Sequence, residues 1–291
     1  MASWNAWHWR WNPHLLAARG YAVLLPDPAI STGYGQAFID RGWGRWGEEP
    51  YTDLLAAIDG ALERPDLDRV RTAAMGGSFG GYMANWVAGH TDRFRAIVTH
   101  ASLWELRGFH GTTDHGPSWE AEFGDPYLDP SRYEASSPHR FLDRIRTPML
   151  VIHGELDHRV PISEALRLWT DLQRHGVPSR FLYFPDENHW VLQPRNARLW
   201  YETVLAFLDE QVLGLQLRMV QLLGQRDGFR DGFLGFFGVL VDVHRLLSAG
   251  LKACTTEHAR LKACTTEHVP PEGLHYRSRV ARRPALQSSV A

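Results

Sequence analysis

Cysteine is nearly absent. The chain has two in 291 residues, Cys254 and Cys264, so most of its length carries neither a disulfide framework nor a thiolate metal site. Charge of one sign is lacking as well. A formal net charge of −2 gives no electrostatic attraction toward nucleic acid or an anionic membrane. No apolar run is long enough to span a bilayer: the stretch from Phe233 to Val241 is short, and Arg230, Asp231 and Asp242 flank it. The opening Met1-Ala2-Ser3-Trp4-Asn5-Ala6-Trp7-His8 has neither the basic start nor the apolar segment of a secretory signal, and a cytoplasmic location is the expectation. What remains is an ordinary globular composition, 44% hydrophobic and 22% charged, in a length that suits one large domain or two small ones.

The most informative stretch is Met75-Gly76-Gly77-Ser78-Phe79-Gly80-Gly81-Tyr82. Val70 to Met75 reads as a buried strand and Tyr82 to Ala88 as a helix. Between them lies G-x-S-x-G, the pattern of a sharp strand-to-helix turn that exposes a serine hydroxyl at its tip. Glycines on both flanks allow the backbone to approach closely where a Cβ would collide. The free N–H groups of the following helix point at the same spot. An incidental serine in a glycine-rich loop is the plainer alternative.

Around it, strands and helices alternate. The continuous apolar run Tyr21–Pro26 predicts a strand covered on both faces, and Phe94–Thr99, Pro148–His153 and Arg180–Phe184 also read as strands. Helices are expected over residues 9–19, 51–63, 163–175, with Ser163 as N-cap, and 195–212. This order predicts an α/β fold with a mostly parallel sheet. Residues 103–141 read as an irregular aromatic and acidic insertion over a site.

A serine needs a base, and the base needs an orienting acid. In parallel α/β hydrolases these follow in the order Ser, Asp or Glu, His, on loops after later strands. Gly154-Glu155-Leu156-Asp157-His158-Arg159-Val160-Pro161 and Pro185-Asp186-Glu187-Asn188-His189-Trp190 supply such loops. Asp157 is the expected acid and His189 the expected base. Glu155 and Asp186 compete as acid, His153 and His158 as base, and His189 could instead cap its own loop. Phe79 N–H is the expected oxyanion donor. Phe79, Tyr82, Trp104 and Val160 are the expected apolar lining of an acyl pocket, with an ordinary core role open for Tyr82 and Trp104. Nothing in this chemistry calls for a metal or a cofactor.

From about Trp4 to Leu213 the chain resembles the catalytic domain of the prolyl oligopeptidase family of serine peptidases, closest to its acylaminoacyl-peptidase and dipeptidyl-peptidase-like branch. The resemblance rests on Ala17–Pro26, Ser31-Thr32-Gly33-Tyr34-Gly35-Gln36-Ala37-Phe38, Gly76–Tyr82, His153–Pro161 and Phe184–His189. It implies an α/β-hydrolase fold, hydrolysis of short peptides through an acyl-enzyme, and a triad at Ser78, Asp157 and His189. It also implies a β-propeller and, before Trp4, a strand ending in a glycine-rich turn that provides the second oxyanion donor. Neither is present in this sequence. The family's usual Arg-Gly is replaced by Ala29-Ile30. The chain therefore reads as a partial catalytic domain over residues 1–213, lacking its first strands, with an esterase or a non-catalytic remnant as the alternatives.

Residues 214–291 read as an unrelated tail, poorly ordered or irregular. Leu251-Lys252-Ala253-Cys254-Thr255-Thr256-Glu257-His258 recurs as Leu261 to His268; two copies are too few for a solenoid, and C-x3-H is not a usual zinc spacing. Arg, Pro and Ser dominate after Val269. The apolar Phe233–Val241 stretch could fill the sheet's missing position, but its glycines argue against a central strand and nothing sets its register.

Overall fold

The computed structural model describes residues 11–215, together with the backbone of a strand at 236–242. The repeated segment and both cysteines lie outside the described residues. The elements run α1 (Pro13–Ala17), β1 (Tyr21–Leu24), α2 (Gln36–Asp40), α3 (Glu49–Ala61), β2 (Thr72–Gly77), α4 (Phe79–His90), β3 (Ala96–His100), α5 (Leu106–Thr112), α6 (Gly116–Phe123), α7 (Ser131–Ala135), a 3₁₀ turn (Pro138–Arg144), β4 (Met149–Gly154), α8 (Ile162–Arg174), β5 (Ser179–Phe184), α9 (Pro194–Leu213) and β6 (Phe236–Asp242).

Strands β2, β3, β4 and β5 pair side by side in parallel. Their apolar residues split by the two-residue period of a pleated sheet. Ala74, Ile97 and Val151 face a core shared with Leu54 and Ile58 of α3, Met83 and Val87 of α4, and Leu168 and Leu172 of α8. Ala73, Met75, Val98, Leu150 and Ile152 face the other core, with Leu16 of α1 and Trp200, Val204 and Leu208 of α9. Burial on both sides explains why β2, β3 and β4 are mostly apolar or small; β5, at the sheet edge, is only partly covered.

The sheet order is β1-β6-β2-β3-β4-β5. The position that the resemblance leaves empty, between the strand at Tyr21 and the elbow strand, is taken by Phe236–Asp242. This differs from the expectation that the tail's glycines keep it out of the sheet. β6 runs antiparallel to both neighbours, with Val23 opposite Leu240 and Ala74 opposite Val239. A backbone ladder needs only N–H and C=O groups in register, and β1 and β2 would each present unpaired ones without it.

The insertion at 103–141 is more regular than expected, with three short helices in it. Helix α8 begins at Ile162 with Pro161 as its cap residue, two positions before the expected cap Ser163. Glu164, in its first turn, turns its Oε2 to accept Trp104 N–H at 2.7 Å and Glu105 N–H at 2.8 Å. Burial pushes its carboxyl from 4.5 up to about 7. An acid whose folded value is raised is favoured by folding only while protonated. Its contribution to stability is complete below the unfolded value of 4.5 and is lost as pH rises through about 7. Glu164→Gln removes that titration, so its thermal midpoint relative to the parent is expected to rise between pH 5 and pH 8. A difference that stays flat across that window contradicts this role.

Candidate active site

The elbow at Ser78 has the backbone its sequence predicts. Ser78 sits at φ 59°, ψ −120°, a conformation a non-glycine residue holds only when its surroundings impose it. Two bonds do so: Ser78 N–H donates to His100 O at 2.9 Å, and Tyr82 N–H donates to Ser78 O at 2.9 Å. Helix α4 can press this close to β3 because position 81 is glycine; a Cβ there would lie 2.6 Å from Ser102 Cβ and 2.7 Å from His100 O. Phe79 is the first residue of α4, where a backbone N–H has no acceptor within its own helix. Ser78 Oγ is buried and has no hydrogen-bond partner among the described residues.

Asp157 lies on the loop after β4. Its Oδ1 accepts Arg159 N–H at 3.0 Å and Val160 N–H at 2.8 Å, and its Oδ2 accepts His189 Nδ1–H at 2.8 Å. Burial by itself would raise this carboxyl. Hydrogen bonds from His153 and His189 outweigh it and hold the group well below the usual carboxylate range. With Nδ1 donating, the lone pair of His189 is on Nε2, the nitrogen a proton-abstracting imidazole uses.

The competing residues are placed elsewhere. Glu155 is exposed and accepts the Tyr183 hydroxyl. Asp186 accepts Gln193 Nε2 and Asn196 Nδ2, both at 3.1 Å, near the start of α9. His158 is exposed. His153 is buried beside Asp157. One contributor escaped sequence reasoning: Glu187, buried two residues before His189. It accepts Leu192 N–H and Gln193 N–H at 3.0 Å and Asn196 Nδ2 at 2.8 Å, which ties the histidine loop to α9. Only the closeness of an acidic residue to the helix-starting Pro194 hinted at it.

A cavity of about 230 Å³ adjoins Phe79 and Val160. Its other walls include Ile30, Trp43, Trp46 and Trp119. Tyr82 and Trp104, expected in this lining, are not part of it. Tyr82 is fully buried edge-on to Trp46, with ring centroids 5.2 Å apart. Trp104 turns its indole to Asp171 Oδ2 at 2.7 Å. Glu122 is the one acidic group on the wall; burial raises its carboxyl, and it accepts Trp46 Nε1–H at 2.5 Å and Gly44 N–H at 3.0 Å.

A profile of the prolyl oligopeptidase family matches residues 7–214. The chain belongs to that family. Among its relatives, a probable dipeptidyl-peptidase 5 of Emericella nidulans is 41% identical over 225 residues, covering 72% of this chain and 30% of the relative. The uncomplexed acylaminoacyl peptidase of Pyrococcus horikoshii superposes with a TM-score of 0.61 at 28% identity, over 64% of this chain and 31% of that one. An acylaminoacyl peptidase in complex with Z-Gly-Gly-Phe-chloromethyl ketone gives a TM-score of 0.61 at 26% identity, over 76% and 33%. These neighbours share the α/β-hydrolase fold of the family. The chain spans about a third or less of the length of the relatives it matches. No helix among the described residues is long and apolar enough to cross a membrane.

Proposed function

We propose that this chain is a serine peptidase catalytic domain that acts on short peptides. The observation that carries the proposal is the 2.8 Å bond between His189 Nδ1 and Asp157 Oδ2, in a family member whose serine sits strained at an elbow. Ser78 Oγ attacks the carbonyl carbon of the scissile bond while His189 Nε2 takes its proton. Asp157 holds the imidazole tautomer and stabilises the imidazolium. Phe79 N–H donates to the oxyanion that forms. The intermediate then collapses, His189 returns the proton to the departing amine, and Ser78 keeps the acyl group. Water, deprotonated by His189, releases it. Ser78 Oγ and His189 Nε2 are not hydrogen-bonded to each other in this structure; such bonds commonly tighten only when substrate binds. Reaction with a fluorophosphonate probe, which needs only an activated serine, tests this reading.

The cavity beside Phe79 is the pocket for the acyl-side residue. Its walls are almost wholly apolar, and filling it with a leucine- or phenylalanine-sized side chain removes apolar surface worth roughly 1.5–3 kcal/mol from water. Peptides with an apolar or aromatic residue before the scissile bond are therefore expected to show kcat/KM about 10- to 200-fold above those with glycine or serine there. A series of chromogenic substrates varied at that one position measures it. Faster turnover of the small polar substrates contradicts the pocket assignment. Short and N-acylated peptides are the first substrates to try, following the dipeptidyl-peptidase and acylaminoacyl-peptidase names of the relatives.

A further inference from the structure

Beside the Asp157–His189 pair stands a second imidazole that the chemistry above does not use. His153, at the end of β4 and fully buried, places Nε2 2.7 Å from Val160 O and 3.4 Å from Asp157 Oδ2. Both neighbours are acceptors, so Nε2 carries the ring proton; it bonds to Val160 O, with Asp157 Oδ2 farther off on the same side. Nδ1 has no hydrogen-bond partner among the described residues. Burying a polar ring with one side unsatisfied is costly, and an apolar side chain would fill the same space without that cost.

We propose that His153 is a positioning residue for the triad: its Nε2–H, bonded to Val160 O and facing Asp157 Oδ2 from 3.4 Å, steadies the carboxylate that orients His189. The inference rests on the serine-peptidase reading above. The contacts give it content. Oδ1 of Asp157 is held by two backbone N–H groups and Oδ2 by the Nδ1–H of His189, with the His153 Nε2 edge facing Oδ2 at the longer distance of 3.4 Å. An ionised carboxylate has about four lone-pair sites; three carry hydrogen bonds, and the polar edge of His153 faces the remaining side of Oδ2. Rotation of the carboxylate away from His189 would break at least two of these contacts at once. The bond to Val160 O holds the same loop from its other end, and Val160 lines the acyl pocket. His153 thus couples the pocket wall to the acid. His100, the other buried imidazole of this cluster, cannot do the same, since neither ring nitrogen has a partner among the described residues.

Two substitutions separate the donor from the bulk. Glutamine can set an amide N–H near the place of Nε2–H, whereas methionine fills the site with no donor. Fluorophosphonate labelling of Ser78 is expected to stay within about threefold of the parent in His153→Gln and to slow about ten- to a hundredfold in His153→Met, the range for a reacting group displaced by a fraction of an ångström to an ångström. The low-field proton of the His189–Asp157 hydrogen bond, read by NMR and assigned by its loss in His189→Gln, is expected at the parent position in H153Q and displaced or lost in H153M. A folded H153M protein that labels like the parent and keeps the parent proton position overturns the proposal. If the parent itself does not label, the peptidase reading fails and the proton position alone decides on His153: one position in all three proteins overturns it. Should H153M not fold, the ¹⁵N spectrum of the parent decides, because a His153 ring protonated at Nδ1 instead of Nε2 is incompatible with a proton on the edge that faces Val160 O and Asp157 Oδ2.

Discussion

Ser78→Ala is expected to lower peptide hydrolysis by about a millionfold, the scale found when a serine protease loses its nucleophile. Asp157→Asn is expected to cost about ten thousandfold. The second loss has a different origin. Asp157 Oδ2 accepts the Nδ1 proton of His189 at 2.8 Å; an amide nitrogen turned toward that position would donate instead, favour the wrong tautomer, and put the proton on Nε2. Backbone N–H groups of Arg159 and Val160 occupy Oδ1, so the asparagine oxygen is drawn to them and its nitrogen left facing His189. Steady-state kinetics on one peptide substrate measures both. Equal residual rates in the two variants would mean that Asp157 does more than orient the base, and a parent-like rate in either would remove that residue from the mechanism.

Gly154→Ala is the second large effect, and it works through backbone. Gly154 ends β4, and a Cβ there would lie 2.4 Å from Glu187 O and 2.6 Å from Asn188 O. Those carbonyls belong to the loop that carries His189. The same loop is bonded to the acid loop by Leu156 N–H to Glu187 O at 2.9 Å. Neither backbone can yield without shifting His189 away from Asp157. A displacement of about an ångström costs about a hundredfold in rate, and the crowding itself costs about 1–3 kcal/mol of stability. Gly60→Ala is the matched control: it sits in α3 with nothing within 4 Å of its Cβ, where alanine favours the helix by up to about 1 kcal/mol. Comparing thermal midpoints and labelling rates of the two variants tests the close approach. A G154A protein as stable and as quick to label as the parent contradicts it.

Much of this arrangement is legible from the chain because local rules and long-range packing agree there. The central parallel strands are mostly apolar or small since both their faces are covered. The elbow reads clearly because glycine at 77 and 81 serves one geometric need on each side of Ser78, against Trp11 and against Ser102. Asp157 and His189, the acid and base of the proposed mechanism, were readable as strand-end residues on successive loops. The pocket wall was harder. Trp43 and Trp46 come from a long loop with no periodicity, and only the fold brings them against Phe79. Tyr82 and Trp104 look like pocket residues by sequence distance from the triad, but a helical turn rotates Tyr82 into the core and Asp171 captures the Trp104 indole. Glu187 holds the histidine loop through backbone N–H groups, which leave no trace in side-chain patterns. The β6 strand was least legible: its place depends on open ladders of β1 and β2, and no residue within it specifies that register.

The account stands most directly on the assignment of Ser78 as a nucleophile activated through His189. Mapping a fluorophosphonate adduct by peptide mass spectrometry tests it in one measurement. The prediction is a single adduct on the peptide containing Ser78, absent in Ser78→Ala and much slowed in His189→Gln. An adduct on any other residue, or equal labelling of the parent and Ser78→Ala, would contradict it.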